Sequence, residues 1–337
     1  MIINQQNTFH QSGFLNRGEM EAKITEYART GTSFLFVIDF IGIKGIVMTP
    51  EEAAGKGVFF KSGKFQNFKD ENIVRSPFSF SLKPVDFDQY RKAFEKVMKH
   101  LVRGDTYLIN LTFPTPVESN HMLNELFFIG NSKYKLLISG LFLCFSPESF
   151  IKITGSRIFS FPMKGTIDAA IPGAEEKILA DRKEFYEHNT IVDLIRNDLS
   201  MVSENVCVNR FRYIDRITTN RQELLQVSSE ISGELPADYC SRLGEIIFTL
   251  LPAGSVTGAP KERTVQIILD TEIYERGFYT GIFGYFDGQN LDSAVMIRFI
   301  ENTTFGLICK TGGGITAMSD AMSEYEEMIQ KVYVPVI

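Results

Sequence analysis

Short apolar runs separated by turns dominate the first half of the chain. The runs at 33–39, 57–61, 106–112, 136–145 and 149–153 are rich in β-branched and aromatic residues, so we predict strands there. Turn residues placed closely between short strands are typical of antiparallel sheets. This part of the chain is therefore predicted to be largely antiparallel β-structure.

Helices are predicted in three segments, at 86–103, 181–199 and 319–331. In the first segment, apolar residues recur at three- and four-residue spacing, and Gly104 follows the last of them. The sequence contains no internal repeat and no linker rich in proline and serine that would divide it. We therefore predict an α+β fold with two sheet layers, built as one interleaved domain over residues 1–337.

The composition excludes several classes of protein. With 337 residues, 44% of them hydrophobic and 23% charged, the chain matches folded domains rather than disordered or fibrous proteins. The net charge is −6 and no basic run occurs, so we expect no nucleic-acid partner. The run at 136–145 is among the longest apolar ones and is far shorter than the about 20 residues of a membrane span, so we expect no membrane insertion.

Cysteine usage and the N-terminus indicate the cellular compartment. The four cysteines are widely spaced and form no Cys-x-x-Cys pair, which argues against a zinc site and a disulfide framework. Residues 1–7 lack the basic region and apolar region of a secretory signal. We therefore expect a cytoplasmic protein.

Two pairs of glutamates are candidates for a metal site. Glu184 and Glu187 are three residues apart and share one face of a predicted helix, and Glu324 and Glu327 do the same on another. Carboxylates on two opposed helices would suit magnesium, which prefers hard oxygen ligands. The alternative for the first pair is a solvated first turn whose acidic groups complement the helix dipole.

Glycine is concentrated between residues 254 and 314, which hold 10 of the 26 glycines. Such a density marks tight turns and close approaches of the backbone, and the amides of 312–314 could hold a carboxylate. The segment 252–261 differs from a phosphate-binding loop because Ala-Pro separates its glycine from its lysine. We therefore predict no nucleotide site.

Two basic residues lie in apolar surroundings. Lys164 precedes a glycine in 161–166 and could act as a nucleophile or base, although lysine before glycine is also common in turns. Arg298 lies in the apolar run 295–300, which we predict to be a buried strand. Its planar guanidinium suits a carboxylate, and a structural ion pair with Asp or Glu is the alternative to a bound ligand.

Several sequence blocks occur together in an order that indicates one family. They are 104–111, 146–148, 162–166, 187–199, 254–261, 276–281, 312–315 and 324–327. With these blocks, which span about residues 104–331, the sequence resembles the chorismate-utilising enzymes: component I of anthranilate synthase and of aminodeoxychorismate synthase, and the isochorismate and salicylate synthases. The resemblance implies two packed antiparallel β-sheets flanked by helices, with chorismate and Mg²⁺ in a cleft of the chorismate-binding core.

The resemblance also implies roles for residues that match the family's motifs. Glu187 and Glu327 would bind Mg²⁺ directly, while Glu184 and Glu324 would complete the acidic shell through water. Substrate binding would fall to Thr257, Gly258, Tyr279, Arg298, Gly313, Gly314 and Lys331.

Lys164 indicates the branch of the family. In aminodeoxychorismate synthases the lysine of this motif adds to C2 of the ring as the 4-hydroxyl leaves, and ammonia then enters at C4 and expels the lysine. The resemblance assigns Glu148 to protonation of the departing hydroxyl and includes Thr166, from the Lys164 motif, in the catalytic set. We therefore predict component I of aminodeoxychorismate synthase, which uses ammonia from solution or from a separate glutamine amidotransferase subunit.

Other functions stay open within and outside the family. They are component I of anthranilate synthase, an isochorismate or salicylate synthase in which Lys164 is not the nucleophile, and a silent chorismate-binding subunit. Gln226 stands where many relatives have a histidine, and the part before residue 104 is shorter than in the usual relatives, so we predict no tryptophan site in 1–103. The chain has no evident Gly-x-Cys-x-Gly elbow of a glutaminase, so ammonia is expected from elsewhere.

Overall fold

The computed structural model, which describes residues 9–69, 78–218 and 223–335, contains both helices and strands. The helices in these ranges are α1 (Arg17–Thr30), α2 (Pro50–Gly55), α3 (Phe87–Arg103), α4 (Leu123–Ile129), α5 (Ala174–Ala180), α6 (Arg182–Ser200), α7 (Leu243–Thr249), α8 (Lys261–Thr271) and α9 (Ala321–Gln330). The strands are β1 (Leu15–Asn16), β2 (Phe34–Ile38), β3 (Lys44–Met48), β4 (Val58–Ser62), β5 (Phe65–Gln66), β6 (Phe80–Leu82), β7 (Leu108–Ser119), β8 (Tyr134–Ile138), β9 (Phe142–Ser146), β10 (Ser149–Thr154), β11 (Arg157–Ser160), β12 (Met163–Asp168), β13 (Glu204–Thr218), β14 (Glu223–Glu234), β15 (Gly258–Ala259), β16 (Ile282–Phe286), β17 (Leu291–Val295), β18 (Phe299–Thr303) and β19 (Gly306–Ile315).

The strands form two antiparallel sheets. A ten-stranded sheet has the order β1-β3-β2-β16-β17-β10-β11-β14-β12, with β13 also paired to β14. A nine-stranded sheet has the order β15-β7-β19-β18-β9-β8-β4-β5, with β6 also paired to β7. The predicted α+β fold of two antiparallel sheets flanked by helices is confirmed.

The core between the sheets explains why some strands are apolar on both faces. All five residues of β2 are buried. Leu35 and Val37 pack with Phe60 of β4 and Leu136 of β8 across the gap between the sheets. The alternate residues of β2 belong to a second cluster that includes α1 and α7. Because β2 is covered on both sides, it is an unbroken apolar run rather than an alternating one.

The helices that carry the predicted glutamate pairs each begin at an aspartate cap. The carboxylate of Asp181 accepts the backbone N–H of Glu184 at 3.0 Å, and that of Asp320 accepts the N–H of Ser323 at 2.9 Å. Such caps satisfy amides of the first helical turn and fix where the helix begins. The helix α6 packs on β12, β13 and β14 of one sheet, whereas α9 packs on β19 of the other.

Most predicted elements are confirmed, and two differ. The three predicted helices correspond to α3, α6 and α9 within two residues at each end. The single strand predicted at 136–145 is wrong, because Gly140 at φ 81° makes a turn between β8 and β9. The strand predicted around Arg298 is also wrong: Arg298 has φ 52° and lies between β17 and β18, where the chain passes from one sheet to the other.

Three further expectations concern membrane insertion, the cysteines and the N-terminus. Among the described residues, no helix is long and apolar enough to cross a membrane. The four cysteines are all free thiols. Residues 1–7, where we expect no secretory signal, lie outside the described residues.

Candidate active site

A cavity of about 600 Å³ is lined by residues from both sheets and from the helices α6 and α9. Twelve of the fourteen predicted site residues lie on its wall. They are Glu148, Lys164, Thr166, Glu184, Glu187, Tyr279, Arg298, Gly313, Gly314, Glu324, Glu327 and Lys331. The structure thus brings together residues that are up to 183 positions apart in the sequence, from Glu148 to Lys331 (331 − 148 = 183).

Thr257 and Gly258 follow the lining residue Val256 but are not among the lining residues. The Thr257 hydroxyl is turned inward and donates to the Ala253 carbonyl at 3.0 Å. Gly258 pairs with β7, and a Cβ atom at this position would lie 1.8 Å from the Leu108 carbonyl oxygen. Both residues therefore fix the backbone beside the cavity. These contacts alone explain why a threonine and a glycine stand at these positions.

Lys164 reaches the cavity because β12 is irregular at this point. Lys164 pairs with Val227 of β14, but the register shifts before Thr166, which pairs with Gln226. Gly165 between them has φ 72°, and a bulge of this kind re-aims neighbouring side chains. The Lys164 ammonium lies 3.8 Å from a Glu187 carboxylate oxygen. Gln226 lines the same cavity.

The four glutamates form one acidic wall, and lysines bind to it. The Lys183 ammonium lies 2.6 Å from Glu324, whose side chain is 2% exposed, and Lys331 lies 2.8 Å from Glu327. Lys331 also donates to the Gly312 carbonyl at 3.1 Å. Over residues 9–69, 78–218 and 223–335, no group of three or more His, Cys, Asp or Glu side chains converges in a geometry ready to hold a metal ion.

Burial sets the electrostatics of this wall. It raises the pKa of Glu187 to about 7, against the attraction of Lys164. Burial likewise raises the pKa of Glu184. Burial opposes ionisation of Glu327 too, but Lys331, together with Lys183 and Lys164, outweighs it and holds the pKa of Glu327 below its usual range. The wall therefore carries carboxylates that are short of solvation and that a positive charge would stabilise.

The donor set fits a hard divalent cation. Carboxylate oxygens are the ligands such a cation prefers, and Mg²⁺ takes only one or two of them besides water and substrate oxygens. Glu187 and Glu327 face the cavity from the two opposed helices, with Glu184 and Glu324 one turn before them. These residues could hold a metal ion if the lysine ammoniums gave up some of the carboxylate oxygens.

Arg298 gives another part of the cavity wall a positive charge, which suits an anion. Its Nη1 is buried and has no hydrogen-bond partner among the described residues. Among the described residues, Arg298 does not form the structural ion pair with Asp or Glu that we considered as the alternative. The guanidinium instead lies over the Tyr333 ring, 4.4 Å from its centroid. Arg298 is half-buried and lines the cavity, and its planar guanidinium could bind a carboxylate there.

Glu148 lies between β9 and β10 and is positioned by hydroxyl groups. The Ser255 hydroxyl donates a hydrogen bond to its carboxylate, and the Glu148 N–H donates to Ser146 Oγ at 3.1 Å. Burial raises the pKa of Glu148. A carboxyl group whose pKa is raised by burial keeps its proton to higher pH than an exposed one, as a general acid requires.

Sequence reasoning missed several lining residues. Lys183 carries a weak local signal, because it is four residues before Glu187 on one helix face. Ser255 lies in a matching block, but its contact with Glu148 joins residues 107 positions apart. Lys310 is 4% exposed and donates to the Arg276 carbonyl at 3.0 Å. Contacts between residues so distant in sequence leave no pattern to detect.

Comparison with known proteins places this geometry in a family. Residues 60–336 match the family model described as chorismate binding enzyme. A PabA-like protein of Haemophilus influenzae is 47% identical over 92% of this chain and 94% of its own length. Aminodeoxychorismate synthase component 1 of Bacillus subtilis is 30% identical over 74% of this chain, which covers 55% of that enzyme.

Among solved structures, anthranilate synthase component I of Streptococcus pneumoniae has a TM-score of 0.65. The match covers 95% of this chain and 78% of the Streptococcus pneumoniae chain, at 20% sequence identity. A likeness at this level of identity supports the fold alone. The family match covers more than half of the chain and includes every residue that we find on the cavity wall. The chain belongs to the family of chorismate-binding enzymes.

Proposed function

We propose that this chain is component I of aminodeoxychorismate synthase and converts chorismate and ammonia to 4-amino-4-deoxychorismate, the precursor of p-aminobenzoate in folate biosynthesis. The observation that carries the proposal is Lys164, a lysine that lines the same cavity as the buried carboxyl group of Glu148. A nucleophilic lysine serves this reaction and has no equivalent task in direct amination at C2. The 30% identity to the Bacillus subtilis enzyme supports the same branch.

Chorismate carries two carboxylates, and the cavity offers separate partners for them. Arg298 has an unpaired buried Nη1, and Lys331 lies beside the backbone of Gly312. Burial raises the pKa of Tyr279, so its phenol stays a neutral hydrogen-bond donor. On the acidic wall, Glu187 and Glu327 would hold Mg²⁺. When bound, Mg²⁺ would supply a positive charge that neutralises a substrate carboxylate and polarises the ring.

In the first chemical step, the Lys164 amine nitrogen forms a bond to C2 of the ring. The ring double bond shifts and the C4–O bond breaks, while Glu148 gives its proton to the departing hydroxyl so that water leaves. In the second step, ammonia bonds to C4, the double bond returns, and the C2–N bond to Lys164 breaks. The Glu148 carboxylate then takes a proton from the new ammonium. Two displacements explain why the amine ends at C4.

The reaction is tested with purified chain, chorismate, Mg²⁺ and ammonium, followed by an aminodeoxychorismate lyase. We expect p-aminobenzoate only after the lyase is added. Anthranilate without the lyase, or isochorismate without ammonia, would refute the proposal. The variant Lys164→Ala should lose amination, and Lys177→Ala, an exposed lysine on α5, is the matched control. Unchanged turnover by Lys164→Ala would exclude the covalent step while leaving the family assignment intact.

We also propose that a separate glutamine amidotransferase subunit supplies the ammonia. Its support is that the Bacillus subtilis relative is component 1 of its synthase. Glutamine alone should then give no product with the purified chain, and adding the amidotransferase subunit should restore turnover. Turnover with glutamine alone would contradict this part of the proposal.

A further inference from the structure

Lys183 is a basic residue within the acidic wall, and it joins the two helices that carry the glutamates. Its ammonium lies 2.6 Å from Glu324 of α9 and 3.9 Å from Glu187, one turn further along its own helix α6. The side chains of Glu324 and Glu187 are 2% and 7% exposed, while that of Lys183 is 31% exposed. One cation therefore bridges two buried carboxylates and keeps a path to solvent.

The two carboxylates need a positive charge. Buried carboxylates of opposed helices repel each other, and neither is well solvated. Lys331 is paired with Glu327 and the Gly312 carbonyl, and Lys164 lies 3.8 Å from Glu187 only. Within the described residues, Lys183 is the cation that reaches both Glu187 and Glu324 within 4 Å.

A metal ion and this ammonium cannot share the same oxygens. Mg²⁺ holds its oxygen ligands at about 2.1 Å in a near-octahedral arrangement. An ammonium 2.6 Å from Glu324 fills the space that the ion or its bound water would take. It also neutralises the carboxylate charge that would attract the ion. The flexible four-carbon stem of lysine allows the ammonium to swing outward.

We propose that Lys183 is a built-in counter-ion of the metal-free enzyme, which positions Glu187 and Glu324 and is displaced when a divalent cation binds. This inference rests on the proposed function of the acidic wall. Lys183 thus lowers the affinity for the metal while it stabilises the metal-free chain. A purely structural ion pair would stabilise the chain equally with and without metal and would not oppose metal binding.

The test compares wild type, Lys183→Met and Lys177→Met. Lys177 is an exposed lysine of the neighbouring helix α5, so its variant removes the same charge away from the wall. By calorimetry with Mg²⁺, Lys183→Met should bind roughly tenfold tighter or more, because the ion no longer has to displace a positive charge from the two carboxylates. Its melting temperature should fall without metal and recover with it. Equal or weaker Mg²⁺ binding than wild type would overturn the inference.

A second measurement uses the wild-type chain and does not depend on how the variant folds. An amine-reactive acetylating reagent, read by mass spectrometry, should modify Lys183 faster in the presence of Mg²⁺, because the ammonium is released to solvent. An unchanged or slower rate overturns the inference. If wild type binds Mg²⁺ and Lys183→Met binds it no better, the inference alone fails. If neither binds Mg²⁺ with chorismate present, the proposed metal site fails with it.

Discussion

A buried arginine beside the cavity allows a worked prediction about stability. Arg276 is 3% exposed and makes a bidentate ion pair with Glu272, at 2.8 Å from Nε and 2.7 Å from Nη2. It also donates to the carbonyls of Val256 at 2.9 Å and Asn110 at 2.7 Å. Both of these residues line the cavity. Arg276 therefore ties the end of α8 to two segments of the cavity wall.

The variant Arg276→Met keeps most of the volume and removes the charge and the donors. Breaking a buried ion pair by removing one partner costs about 3–5 kcal/mol, because the other charge stays buried. Among the described residues, Glu272 would retain as donors the Thr112 N–H at 2.9 Å and the Thr112 hydroxyl at 2.7 Å. Arg276→Lys keeps the charge but not the planar fork, so its cost should be smaller, about 1.5–3 kcal/mol.

The double variant Arg276→Met with Glu272→Gln separates the charge from the packing. The carboxamide oxygen can still accept the Thr112 N–H, and no buried charge remains unpaired. We therefore expect the double variant to recover about 1 kcal/mol or more relative to Arg276→Met. The coupling between the two positions follows from the double-mutant cycle.

The assay is urea unfolding at pH 7, followed by far-UV circular dichroism and by tyrosine fluorescence, since the chain has no tryptophan. Coincident curves from the two probes are the control for two-state unfolding. A loss of less than about 1 kcal/mol in Arg276→Met would refute the reasoning, since a broken buried pair costs several times that. A double variant less stable than Arg276→Met would equally refute it.

Three further predictions concern pH, substrate binding and backbone packing. Burial lowers the pKa of His188 from 6.5 to about 4, so the unfolded state binds a proton first as the pH falls. Wild type should therefore lose stability relative to His188→Gln by about 1.4 kcal/mol per pH unit between these values, and parallel urea midpoints would contradict this. Tyr333→Leu should raise KM for chorismate several-fold with kcat little changed, because Arg298 loses the ring beneath it; Tyr333→Phe, which keeps the ring, should match wild type, and an equal loss in both variants would argue against a stacking role. Gly258→Ala should lower the free energy of unfolding by more than about 2 kcal/mol, because its Cβ would meet the Leu108 carbonyl; a wild-type urea midpoint would contradict it.

Elements with local signals could be predicted from the sequence. The helices α3 and α6 have apolar positions at helical spacing and begin after Asp86 and Asp181, whose carboxylates cap them. These signals lie within a few residues of the helix itself. The hairpin of β8 and β9 was missed because Ser139-Gly140-Leu141 interrupts an apolar run only briefly.

The cavity wall could be predicted in part. Motifs identified the residue types, and spacing placed the glutamates of each pair on one helix face. What the sequence could not give is pairing across the fold. Lys183 and Glu324 are 141 positions apart, and Ser255 and Glu148 are 107 apart. Arg298 has a positive φ because the chain passes there from one sheet to the other. Its apolar neighbours gave no sign of this crossing, since they read as a continuous strand.

Two sheet crossings explain why Glu148 and Arg298 share a cavity. Glu148 lies where the chain passes from β9 in the nine-stranded sheet to β10 in the ten-stranded sheet, and Arg298 where it passes back from β17 to β18. The crossings run side by side: the Val295 N–H donates to the Glu148 carbonyl, and the Phe145 N–H donates to the Arg298 carbonyl, each at 3.2 Å. Residues at such crossings leave the pleat of both sheets and can face the space between them. Packing of the two sheets therefore sets the distance between these two groups, so a core substitution that shifts one sheet should change chorismate binding and protonation together.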